Sequence, residues 1–392
     1  MPHPWAKASG GIGGSKTAVA IESNPRSPQS PEARHQAISR TEGTMLALLT
    51  ETVTEIASMS RKSKWIEADS LDESATTVAQ RALEARLTTV YSWLAKAVDD
   101  TQTPVESVHQ LRVSTRRATA VLQLFEDWLP RKRARWFRKH LKQMRKTAGE
   151  ARDLDVLAAQ LCEYCNANRA AGCPDLQARL AVARHAAQPA ISDLHQKMVD
   201  RRYRRRLKNL VRKTHWRNEG SDCPTYQEVA RTGLRPLAEI FFAASKGDFE
   251  NILALHEFRI AGKRFRYAME VFAGAFGPTF RKELYPLVEE LQKKLGDIND
   301  HATHRDRYLT WHDDTTDESQ RQILSTLIAH ESSALQTSIR EFREWFTTER
   351  AADLNARFWQ EVGPASEYSD ADSNSKQSAQ FGDGARIGRL SN

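Results

Sequence analysis

The sequence predicts an all-α protein, and three features of its 392 residues predict it. From about residue 73 to residue 361 apolar residues recur at helical spacing, and Ala, Leu, Arg, Glu, Gln and Lys dominate, all good helix formers. No stretch alternates apolar and polar residues as a half-buried strand would. Gly (18) and Pro (14) are scarce for this length, which argues against a turn-rich β protein. Breaks at Pro104, Pro130, Gly149, Gly172–Pro174, Gly220–Pro224, Gly247, Gly277–Pro278, Gly296 and Gly363–Pro364 divide the chain. They predict helices over 74–100, 104–129, 131–148, 153–169, 174–199, 200–216, 226–245, 250–275, 279–295, 300–313, 317–346 and 347–361. Thr103, Pro104 and Glu106 supply a cap, a first-turn proline and a capping-box acid for the second of these.

Both ends read differently. Residues 1–72 form a predicted disordered arm, small and polar over 1–44 with GGIGG at 10–14, in which the apolar piece MLALLTETVTEIA reads as a short isolated helix or a partner-binding segment. GGIGG is no dinucleotide loop, because no strand precedes it and no helix follows. Residues 363–392 form a predicted disordered tail. No apolar run approaches the length of a membrane-spanning helix. Four Cys exclude a disulfide scaffold and fit a reducing, cytoplasmic setting. With 58 Lys+Arg against 50 Asp+Glu the net charge is +8, a modest pointer to an anionic partner.

The helical region repeats itself. VHQLRVSTRRAT (108–119) matches LHEFRIAGKRFR (255–266), pairing His109 with His256, Arg112 with Arg259, Arg116 with Lys263 and Arg117 with Arg264. The same offset pairs Gly149 with Gly296 and Asp153 with Asp300, without a gap. The chain therefore reads as two copies of one helical unit, 73–217 and 226–362, expected to pack with pseudo-twofold symmetry.

At about 100° per residue, His109, Arg112 and Arg116 share one stripe of their helix, with Arg117 at its side. Leu111, Thr115, Ala118, Leu122 and Phe125 fall opposite and form the predicted core face. In the second copy His256, Arg259, Lys263 and Arg264 make the stripe, and Phe258, Ala261, Phe265, Met269 and Phe272 the core face. The next helix of the first copy, 131–146, has nine Lys or Arg in sixteen residues and no acid. Trp136, Phe137, Leu141 and Met144 are its predicted core, while Arg135, Arg138, Lys139, Lys142, Arg145 and Lys146 cover the rest. Its second-copy equivalent keeps Lys293 and Lys294 but gains Glu283, Glu289 and Glu290, so the cationic surface should be lopsided toward the first copy. A third cluster, 201–217, has nine Lys or Arg in seventeen residues. A solvated basic face is the ordinary meaning of one such helix. Recurrence of the stripe and the density of like charge favour an anionic ligand instead.

Other chemistry is weaker. Arginine neighbours make His109 and His256 better suited to anions than to a metal ion. CEYC (162–165) with Cys173 lacks a second pair at zinc-finger spacing. His301 and His304, with Asp300, His312 and Asp313, read as exposed polar residues. Asp153 reads as a cap or as an ion-pair partner for Arg152. A phosphotransfer enzyme would need a carboxylate base, a nucleotide loop or a metal-binding acid cluster, and none is evident. The site is thus expected to bind without catalytic residues, cofactor or metal.

At HQLRVSTRR (109–117) with GEARDLDV (149–156), and HEFRIAGKRFRYAMEVF (256–272) with LGDIND (295–300), the chain resembles the CHAD family, the conserved histidine α-helical domain. The resemblance covers about 73–361. It implies two pseudo-symmetric helical bundles with a basic groove or pore between them, binding of inorganic polyphosphate, association with storage granules and no catalysis. It implies basic contacts at His109, Arg112, Arg116, Arg117, His256, Arg259, Lys263 and Arg264, joined by Lys139, Lys142, Lys146, Lys293 and Lys294. Asn299 stands where the first copy has Arg152, so that part of the motif is not repeated. The ExExK strand of a triphosphate tunnel domain, fused to some relatives, does not occur. A phosphate polymer carries no bases to read, so converging Arg forks and Lys point charges suffice to hold it. Nucleic acid is the second-ranked partner, since 131–146 and 201–217 would also suit its backbone, but the His/Arg stripe has few aromatics for stacking.

Overall fold

The structure, a computed structural model, describes residues 64–98, 104–168, 173–218 and 220–363. Ten α-helices occupy them: α1 Ala75–Val98, α2 Pro104–Leu124, α3 Arg131–Asn168, α4 Cys173–Asp200, α5 Tyr203–Arg212, α6 Tyr226–Ala244, α7 Ile252–Phe272, α8 Tyr285–Asp314, α9 Glu318–Trp345 and α10 Thr348–Val362. Among the described residues there is no strand, only an isolated bridge between Ser74 and Thr225. The protein is all-α.

Local chemistry sets the helix starts. Thr225 and Glu228 form a reciprocal capping box at α6. Asn251, Asp317 and Thr347 accept backbone N–H bonds at the starts of α7, α9 and α10. Thr103, the expected cap of α2, lies outside the described residues, as does the apolar piece within 45–57.

In the first half α1 packs on α2, α2 on α3 and α3 on α4; in the second, α6 packs on α7, α7 on α8 and α8 on α9. The halves meet where α2 packs against α7. One continuous core runs through both, from Leu83, Leu111 and Phe125 to Phe241, Phe265 and Phe342. Burying each such Phe contributes about 1.5–3 kcal/mol. A second, smaller core joins the far ends of α3 and α4 to those of α8 and α9, through Leu157, Leu161, Leu180, Tyr308, Trp311 and Leu324.

Four expectations need correction. α3 and α8 run unbroken through Gly149 and Gly296, where breaks were expected. Each is held along its length by core contacts, which outweigh the roughly 1 kcal/mol that an interior glycine costs a helix. Residues 64–72, expected within a disordered arm, are instead ordered, because 64–74 strap onto the second half, while residues 1–63 lie outside the described part. Ile66 is buried and donates its N–H to the Glu270 carbonyl at 3.3 Å, Trp65 packs edge-on against Tyr285, and Glu67 pairs with Arg281 at 2.7 Å. Residues 364–392 lie outside the described part. Trp136, expected in the core, is only half-buried. Finally, Cys165 and Cys173 are joined by a disulfide across the α3–α4 connection, leaving Cys162 and Cys223 as exposed thiols. The pairing is a local staple at the end of a helical hairpin, which a low cysteine count does not reveal.

Candidate functional site

Both predicted core faces are buried: Leu111, Thr115, Ala118 and Leu122 on α2 with Phe125 just past its end, and Phe258, Ala261, Phe265, Met269 and Phe272 on α7. That burial fixes the rotation of each helix and brings the two cation stripes within reach of one another. Arg112 and Arg116 both bear electrostatically on Arg259 and Lys263. Burial, then repulsion from Arg259 and Arg116, pushes the Lys263 ammonium down to about 6. Burial and repulsion also lower Arg112 and Arg259, opposed in each case by one aspartate. Burial lowers His109, with Arg152, Arg116 and Arg112 adding to the effect and Glu106 opposing it.

The aspartates repeat in space as they do in sequence. Arg112 Nη2 lies 3.8 Å from Asp153, and Arg259 Nη2 lies 4.0 Å from Asp300. Asp153 is thus neither a cap nor a partner of Arg152. It sits inside α3 and steadies Arg112. Gly149, one turn before it, leaves room for that arginine: a Cβ there would stand 2.6 Å from Arg112 Nη1. Gly296 has no such task, since a Cβ there meets nothing within 4 Å. The equal separation of Arg112 from Asp153 and of Arg259 from Asp300 was the available sequence signal for this pairing.

The predicted residues therefore divide. His109, Arg112, Arg116, Arg145, Arg152, Arg259 and Lys263 form one electrostatic cluster. Arg117 does not join it. Its Nε donates to Glu270 Oε2 at 2.6 Å and its Nη2 to Oε1 at 3.1 Å. Glu270 is fully buried and also accepts from Arg266 at 3.1 Å and Tyr285 at 2.8 Å. Burial would raise that carboxyl, but Arg117, with Arg266 and Arg86, holds it below the ordinary carboxylate range. Arg138 is occupied by Glu126 and the Leu122 carbonyl, both at 2.9 Å. Lys294 lies over the Trp345 ring at 5.3 Å. Arg135, Lys139, Lys142, Lys146, His256, Arg264 and Lys293 are exposed on their helices. The sequence reading missed Glu270, an acid on the core face of α7 that only its partners make intelligible.

Among the described residues no group of three His, Cys, Asp or Glu side chains is placed to hold an ion. His301 binds Glu331 at 2.7 Å, and His304 is buried rather than exposed. No described helix is long and apolar enough to cross a membrane.

Comparison with known proteins adds three findings. The family model for the CHAD domain matches residues 81–309, more than half of the chain. The crystal structure of the CHAD domain from the plant Ricinus communis superposes with a TM-score of 0.55 at 21% identity, covering 71% of this chain and 96% of that one. PptA from Streptomyces chartreusis gives a TM-score of 0.47 at 17% identity, covering 74% of this chain and all of that one (100%). No curated protein matches the sequence.

Proposed function

The chain belongs to the CHAD domain family, and from that premise we propose that it binds inorganic polyphosphate, without catalysis, between the cation stripes of α2 and α7. A basic groove or pore between two pseudo-symmetric units, 73–217 and 226–362, is the form this site takes. The observation that carries the reading is the cluster of Arg112, Arg116, Arg145, Arg259 and Lys263, opposed among the described residues by only Asp153 and Asp300 at ion-pair distance. A surface built for stability alone would not hold an amine at a pKa near 6. A run of phosphates supplies the missing negative charge, re-protonates Lys263 and His109, and receives forked hydrogen bonds from the arginines. Affinity falls with added salt as counterions are released. Residence on polyphosphate granules belongs to the same proposal.

Titration with long-chain polyphosphate tests it, against duplex DNA at matched phosphate concentration. Arg112→Glu with Arg259→Glu should abolish polyphosphate binding and leave the melting temperature nearly unchanged. Retained binding in that double variant, or preference for duplex DNA at physiological salt, overturns the proposal.

A further inference from the structure

The third basic cluster is not part of this site. It lies on α5, which packs against α1, α3 and α4. Where α5 meets α3, Arg133, Trp136, Phe137, Arg206 and Asn209 line a cavity of about 160 Å³. On α3, Trp136 and Arg145 are nine residues apart, which places them about 180° apart around the helix and about 13 Å apart along it. The cavity and the polyphosphate site thus occupy opposite faces of one helix.

The chemistry of the two faces differs. The α2–α7 stripe is cations with little aromatic surface. On the α5 face, cations sit over rings: the Arg206 guanidinium lies 4.8 Å from the Trp136 ring centre, and that of Arg204 lies 5.0 Å from Tyr91. Trp136 is further held by stacking on His140 at 4.0 Å, whose Nδ1 donates to the Trp136 carbonyl at 2.7 Å. Arg133, Arg201, Arg202, Arg204, Arg205, Arg206 and Lys208 are exposed, and none is ion-paired among the described residues. A bare phosphate chain has no use for the part-exposed ring of Trp136. An apolar ligand has no use for a rim of arginines. A nucleotide satisfies both, its base on the exposed Arg206 guanidinium that covers the Trp136 ring and its phosphates on the rim.

We propose that the α3–α5 face binds single-stranded nucleic acid, with one base in the cavity beside Trp136 and the flanking phosphates on Arg133, Arg206 and the exposed arginines of α5. A duplex is a poor ligand because its bases are stacked away. The site is independent of the polyphosphate reading and stands or falls apart from it.

The test is fluorescence anisotropy with a labelled short oligothymidylate on the full chain. Arg133→Ala with Arg206→Ala should weaken binding about tenfold or more, and Trp136→Leu by a similar factor. Both arginines are exposed, so the double variant keeps the fold even if the Trp136 variant does not. Neither pocket variant should change polyphosphate binding more than about twofold, and Arg112→Glu with Arg259→Glu should leave oligothymidylate binding intact. Wild-type affinity in the Arg133/Arg206 variant overturns the proposal. So does displacement of the oligonucleotide from the Arg112/Arg259 variant by polyphosphate at equal phosphate concentration, which would make the face a general polyanion surface. Thymidine monophosphate binding as tightly as the oligonucleotide would assign the cavity to a free nucleotide and overturn the single-strand form.

Discussion

The helices that follow the two cation stripes, α3 and α8, carry the same placement to opposite effect. Arg138, Lys142, Arg145 and Arg152 of α3 correspond to Tyr285, Glu289, Gln292 and Asn299 of α8. Four positive positions in the first half are neutral or negative in the second. What α8 gives up in charge it returns in structure. Tyr285 donates to Glu270, and Glu289 accepts from Lys64 of the N-terminal strap at 3.0 Å. The contrast lies between these two helices: α3 adds positive field to the cluster, while α8 supplies internal partners for Glu270 and the N-terminal strap. Glu270 shows this most directly, because its equivalent, Gln123, is exposed.

The largest effect that could break this comparison is at Glu270. Glu270→Gln leaves Arg117 and Arg266 half-paired in a dry setting and should cost about 3–5 kcal/mol in chemical denaturation. Gln123→Glu, at the matching position, should change stability by no more than about 0.5 kcal/mol. Equal losses would mean the halves have not diverged.

Lys263 and Arg116 differ in a second way, since only the lysine can shed its proton near neutral pH. With Lys263 depressed to about 6, the unfolded chain holds more protons than the folded one between pH 6 and the ordinary lysine value of 10.5. This group therefore makes the ligand-free protein more stable as pH rises through that window. Lys263→Met should remove that slope, raise ligand-free stability by about 1 kcal/mol or more, and weaken polyphosphate binding. Wild-type binding should tighten as pH falls toward 6, because the polyanion restores the ammonium, and flatten below it. A calorimetric pH series reads both. A flat binding profile would remove Lys263 and His109 from the contact surface.

The paired glycines offer a finer contrast. Gly296→Ala enters open space in a helix and should stabilise by about 0.5–1 kcal/mol. Gly149→Ala displaces the tip of Arg112, so its helix-propensity gain should come with several-fold weaker polyphosphate binding. The smallest expected change is a gain. Asn299→Arg restores the missing motif residue and should steepen the salt dependence of binding by about one counterion, with an affinity increase of a few fold.

Much of this was legible in the residues because periodicity determines which side of a helix is dry. Placing Phe258, Phe265 and Phe272 in the core leaves Arg259 and Lys263 no other direction. The repeat offset carried the same inference to α2. Periodicity says nothing about meetings between distant segments. Arg117 reads as one more cation on the stripe until Glu270, far along the chain, claims it. Glycine likewise signals a break only when nothing packs on both sides of it, and at Gly149 the neighbouring helix supplies the reason for its presence. The aromatic–arginine face of α5 escaped notice for the same cause, since Trp136 and Arg206 come together only when α3 and α5 dock.

The strap of residues 64–74 has a practical corollary. Gln227 donates its N–H to the Leu71 carbonyl at 3.2 Å and Tyr226 to that of Glu73 at 2.8 Å, while Arg81 forks between Asp69 and Glu73. Recombinant fragments that begin at residue 73, where helical periodicity sets in, would strip a hydrophobic lid from Tyr285 and leave Glu289 without its lysine. Protease nicking within 64–72 should loosen the elements the strap ties together, α1 of the first half through Arg81 and Arg86 and the second half through Arg281 and Glu289.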